Sequence, residues 1–188
     1  MPCNVIDARL EPCKEYVGGI QGIFLIPFVW SDVIELQTVG QIGTVKTIKT
    51  SSAVLVTGYF WELKGSSSFD VAMTSSRDNG TTMYDQNLTV VFKPKSLTTP
   101  IYDFNDYNTL AKGRWRIVVW DRNDNFWLVG EEYGADATTG VENFGTALGD
   151  PRNYSVTFVA SESNPPRPLD STTYAGLSTI FTPDSTPT

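Results

Sequence analysis

The sequence predicts a mainly β, β-dominated α+β protein, a sandwich or barrel with one flanking α-helix and an extended C-terminal arm. Three observations carry this. Short runs rich in Val, Ile, Phe, Tyr and Trp recur between turn-forming Gly, Pro, Asn and Asp. Helical spacing occurs in one stretch only, residues 101–112. Beyond residue 160 the texture changes to Pro, Ser and Thr with scattered apolar side chains. At 188 residues the chain suits one domain with a real core. The division expected is a single β-rich domain over 1–160 and an arm over 161–188.

Residues 19–28 (GIQGIFLIPF) predict a strand that Pro27 stops. Residues 33–48 interleave Thr and Val with Gly40 and Gly43 and predict two short strands or an extended excursion. Residues 53–64 predict a stronger strand, in which Gly58 marks a bulge or bend. Phe69, Val71 and Met73 alternate onto one strand face, and Asn79-Gly80 follows as a hairpin pair. Residues 88–93 give a further strand, closed by Pro94.

In the helix, Ile101, Phe104, Leu110 and Ala111 recur at helical spacing. Thr98 or Thr99 with Pro100 fits its start, and Asp103 lies in the first turn. Lys112 lies in its last turn and Gly113 fits the position after it. Residues 114–120 and 126–130 then form the clearest hairpin, with Trp115, Ile117 and Val119 on an apolar face. A Gly/Thr/Ala-rich segment fills 131–150. Tyr154, Val156, Phe158 and Ala160 alternate along the last strand.

Leu169, Tyr174, Leu177, Ile180 and Phe181 in the arm are spaced as anchors among Pro165, Pro166, Pro168, Pro183 and Pro187. Ordering such a segment costs about 1–2 kcal/mol per residue in backbone entropy, which apolar burial must offset. The arm is therefore expected to lie extended on a neighbouring subunit, or else to be a disordered tail.

Composition narrows the function. Histidine is absent, which removes the usual general base, triad partner and metal ligand. The net charge of -7 argues against nucleic-acid binding, whose affinity comes from Lys and Arg on phosphates. It suits instead a surface that DNA slides past. Cys3 and Cys13 read as a disulfide closing a short loop in a secreted protein or as free thiols in a reducing cytoplasm; Met1-Pro2-Cys3-Asn4 lacks the features of a signal peptide, which favours the thiols. The longest apolar run, residues 20–30, is far short of the roughly 20 residues a membrane helix needs, so no membrane span is expected.

The candidate chemical motifs read as structure. Asp121-Arg122-Asn123-Asp124-Asn125 imitates a calcium loop with Glu132 at its end, but Phe126 replaces the sharp-turn glycine. Glu131 with Glu132, and Asp103 with Asp106, are the densest carboxylate pairs of the kind a glycosidase uses. Adjacent strand residues diverge, and the helical pair reads as a solvated face. Asn79, Asn87 and Asn153 match glycosylation acceptors but read as turn and strand chemistry. Tyr59-Phe60-Trp61 and Trp115, Trp120 and Trp127 read as core or interface, with a sugar-stacking platform as the rival. No catalytic, cofactor-binding or metal residues are assigned, and no enzyme activity is expected.

Certain of these motifs resemble a known group. Asp121-Arg122-Asn123 leads into Trp127-Leu128-Val129-Gly130; then come Gly134, Thr138-Thr139-Gly140, Gly145-Thr146-Ala147, Gly149-Asp150 and the strand Tyr154-Ser155-Val156-Thr157-Phe158. With Met1-Pro2-Cys3, Gly18-Gly19-Ile20 and Phe24-Leu25, this order resembles small tail structural proteins of phages infecting Bacteroidota, the crAss-like group included. The resemblance covers the first 30 residues and residues 102–163; residues 33–94 and the tail after Pro166 fall outside it. It implies a tail-tube-like fold, a homo-oligomeric ring of the tail or head–tail connector in the virion, and neighbouring ring proteins as partners. It also implies packaged DNA passing through the ring without sequence-specific binding. A carbohydrate-binding β-sandwich, serving receptor binding or capsid decoration, is the alternative.

Overall fold

The structure, a computed structural model, describes residues 17–37, 43–63, 66–76, 78, 80–94 and 101–185, with backbone alone for 101–104. Cys3, Cys13, Asn79, Thr98, Thr99, Pro100 and the Met1-Pro2-Cys3 start lie outside the described residues, as does the side chain of Asp103.

The fold is β-dominated, as the alternating runs predict. Its centre is the antiparallel pair β1 (Ile20–Pro27) and β7 (Arg114–Asp121), in register from Ile23 opposite Val119 to Pro27 opposite Trp115. Both strands read as nearly unbroken apolar runs because both of their faces are covered. One edge of β1 pairs with β4 (Thr57–Glu62). The free edge of β7 forks. Its second half pairs with β8 (Phe126–Val129), completing the predicted hairpin, while Arg114 and Trp115 pair with β9 (Ala135–Asn143). From β9 the sheet continues through β10 (Asn153–Glu162) and β6 (Thr81–Phe92) to β5 (Ser68–Ser76).

The sheet curls over one face of β1 and β7. Ile23, Leu25, Ile117 and Val119 there meet Leu88, Val90, Val156 and Phe158 from β6 and β10. Across this core Trp61 of β4 lies edge-on to Phe92 of β6, with ring centroids 5.2 Å apart. The predicted helix, α1 (Ile101–Lys112), closes the core with Leu110, whose carbonyl accepts the indole N–H of Trp115. Gly113 follows the helix because the Trp115 ring occupies the space beside it: a Cβ there would lie 2.4 Å from Cζ2. Close packing, not a left-handed turn, sets that position.

The other face of β1 and β7 carries a second core. The hairpin β2 (Val33–Gln37) and β3 (Thr44–Lys49) forms the two short strands expected, in a sheet of its own. Val45 and Ile48 of β3 pack with Phe24, Ile26, Val118, Phe126 and Leu128.

Residues 161–185 complete this core, which corrects the expectation of an arm anchored on a neighbour or left disordered. Leu169, Leu177, Ile180 and Phe181 are buried in their own chain. The Phe181 ring packs edge-on against Phe24 at 5.2 Å. Backbone bonds tie the segment down: Leu169 donates to Phe126, Asp170 to Val45 and Thr182 to Val56, while Ile180 accepts from Ile48. Two-residue strands β11 (Arg167–Pro168) on β8 and β12 (Thr182–Pro183) on β4 flank a 3₁₀ turn, Ala175–Thr179. Gly58, expected at a bend, makes room for this segment: a Cβ would sit 2.6 Å from the Phe181 ring. Proline fixes φ and removes donors, so the segment is mostly irregular, but its anchors find pockets at home.

Candidate functional site

Four adjacent strands, β5, β6, β10 and β9, contain no Lys or Arg. Their alternation turns Leu88, Val90, Val156, Phe158 and Ala160 into the core. It turns Asp70, Ala72, Thr74, Asp85, Asn87, Thr89, Ser155, Thr157, Val159 and Ser161 outward. The outer face is thus hydroxyl-rich and weakly acidic. Its polar groups bond to each other across the strands: Thr89 and Thr157 hydroxyls lie 3.1 Å apart, and the Ser161 hydroxyl donates to Asp85 at 2.6 Å.

This face ends at β5, whose second edge has no partner strand among the described residues. Nine residues long, free of proline and carrying Asp70 as its lone charge, it has few of the devices that protect an edge from pairing. The expected apolar face of β5 is only partly used. Phe69 touches the core, but Val71 is 41% and Met73 64% exposed. The cause is overhang: β10 stops pairing at Tyr84 of β6, while the β5–β6 hairpin runs on to Ser76 and Thr81 with no layer beneath.

Asp121-Arg122-Asn123-Asp124-Asn125 is the hairpin turn between β7 and β8. The Asp121 carboxylate is filled by the backbone N–H groups of Asn123 and Asn125, the Asn125 amide and the Trp127 indole. Glu131 and Glu132 lie in a bend after β8 and diverge. Glu131 pairs with Arg167 at 2.6 Å, and Glu132 accepts from Ser163 and Asn164. No grouping of metal-ligating side chains occurs among the described residues. Asn87 and Asn153 are half-buried positions of β6 and β10.

Sequence reasoning missed a buried polar clamp beneath that bend. Glu162, 3% exposed, accepts the backbone N–H groups of Glu132 and Tyr133, and burial pushes its carboxyl above the usual glutamate range. Gln86 accepts from Gly130 N–H and reaches the Asn164 carbonyl. Beside them Arg116 pairs with Asp32 at 3.1 Å, both side chains 4% exposed, and stacks on the Phe28 ring. A signal existed: Glu162 is the next inward position after Ala160, so a strand prolonged by two residues would have exposed the anomaly.

The tryptophans do not form one platform. Trp120 faces the second core and Trp127 the first, and their N–H groups are held by Asp124 and Asp121. Tyr59, Trp61 and Trp115 do converge, on a cleft between α1 and β4 that Phe60 and Asp106 also line, the Phe60 ring itself packing in the second core. Among the described residues no helix is long and apolar enough to cross a membrane. No family model, no curated protein and no solved structure matches this chain.

Proposed function

We propose that the chain is a structural subunit of a bacteriophage virion, forming a ring or tube of the tail or head–tail connector around a channel for DNA. The observation that carries this reading is the outer face of β5, β6, β10 and β9, strands that hold no Lys or Arg and whose Asp136 pairs the neighbouring Arg114 of β7, ending in the open β5 edge. A conduit for DNA needs a surface that phosphates do not grip, and cations are what grip them. Hydroxyls bonded to each other, with carboxylates among them, leave no such hold. An open edge supplies backbone donors and acceptors for head-to-tail pairing with a second copy, a contact that closes into a ring when the rotation allows. The resemblance of 102–163 to phage tail proteins points the same way.

The test is electron microscopy and mass measurement of the purified chain beside the double variant Val71→Lys/Met73→Lys. Both positions are exposed on the edge, so the variant keeps its fold and melting temperature while ring formation is lost. A protein that stays monomeric at all concentrations and is absent from the neck and tail of virions would overturn the reading. So would tight, steeply salt-dependent binding of duplex DNA.

A further inference from the structure

We infer that the cleft between α1 and β4 is a binding site for a neutral sugar unit, a property independent of ring assembly. The cleft has a volume of about 460 Å³ and is lined by Tyr59, Phe60, Trp61, Trp115, Asp106 and Asp184, with Leu25, Pro27, Thr109 and Leu110 at its floor and sides. These residues come from β1, β4, α1, β7 and the segment after β12, so the site exists only in the folded chain. Concave apolar sites with a few convergent polar groups are where small ligands bind, and this volume lies within their usual range of about 300–1,000 Å³.

The chemistry of the lining selects the ligand. Tyr59 is 47% exposed, and Trp61 is half-buried, so aromatic surface stays open to solvent. Tyr59 Oη, Trp61 Nε1 and Asp184 Oδ2 have no hydrogen-bond partner among the described residues; Asp184 Oδ1 is taken by Phe60 N–H and the Ser185 hydroxyl. A purely apolar ligand would leave these polar atoms dry, at a cost in affinity. An anionic ligand would face the Asp184 carboxylate, with no Lys or Arg in the lining among the described residues to receive it. A pyranose matches both demands: its C–H face lies on an aromatic ring while its ring hydroxyls donate to a carboxylate and accept from an indole. Trp115 serves as a wall, its N–H being bonded to Leu110. The lining of the cleft includes no residue of β5, the assembly edge, so the two uses rest on different residues.

Glucose, galactose, mannose, N-acetylglucosamine and their short oligomers, titrated into the full chain, are the probes, read by NMR at the Trp indole N–H resonances. A saturable shift at Trp61 is expected with at least one of them. Tyr59→Ala, at an exposed position, should weaken that binding by about tenfold without lowering the melting temperature. Asp184→Asn serves as a second, isosteric variant and should weaken it as well. No saturable shift with any sugar overturns the inference, as do shifts that neither substitution alters. A response to tetramethylammonium with none to sugars also overturns it, and makes the cleft a cation site.

Discussion

Arg116 and Asp32 are the residues on which a single change should tell most. Their pair is buried, and Arg116 also donates to the carbonyls of Val29 and Glu131. Removing one partner strands the other charge, so Asp32→Ala should cost roughly 3–5 kcal/mol in urea unfolding, and Asp32→Ala/Arg116→Met should recover a good part of that. Recovery that fails to appear would show that Arg116 acts through its carbonyl contacts rather than the pair. Glu162 makes a prediction about pH. Burial raises its pKa, so folding favours its neutral form. The stability it contributes is whole below the ordinary glutamate range and is lost as pH rises through the raised value. Acidification from neutral pH should therefore recover stability, and Glu162→Gln should flatten that part of the profile. Glu162 is legible only when the last strand is prolonged past Ala160, and Arg116 is not legible from its own strand. Arg116 lies on the face opposite Trp115, Ile117 and Val119, and the cover that buries it comes from residues 28–32, which no local pattern connects to it.

At the level of elements, strength of pattern decided what was legible. The helix over 101–112, the β7–β8 hairpin and the β1 strand declare themselves because spacing, caps and apolar runs agree. β9 was passed over because Ala135-Asp136-Ala137-Thr138-Thr139-Gly140 has the composition of a loop; β10 and β7 hold it in place by pairing. The C-terminal segment shows the limit most clearly. Its anchors were visible, but not the pockets that receive them, which are assembled from β1, β3, β7 and β8. The consequence is a prediction opposite to that for a detachable arm. Phe181→Ala should destabilise the chain by roughly 3–5 kcal/mol, as other buried phenylalanine truncations do. Ending the chain after Ser163 should yield a protein without cooperative thermal unfolding. A truncated chain that melts like the full one would contradict the packing described.

For the whole molecule, the two cores share the β1–β7 pair as a common wall, so neither side stands apart from the other. The cleft is built on β1, β4, β7 and α1 and the face that repels phosphate on β5, β6, β10 and β9, and this shared wall holds the two in fixed relation. The wall also sets an order in time. Phe24 lies in β1, and Phe181, which packs against it, lies beyond β11 and is synthesised long afterwards. Until Leu177, Ile180 and Phe181 have left the ribosome's exit tunnel, Phe24, Ile26 and Val118 lack part of their apolar cover. The first core can close earlier; the second closes only once that segment has emerged, and the nascent chain is most prone to aggregate in the interval between the two.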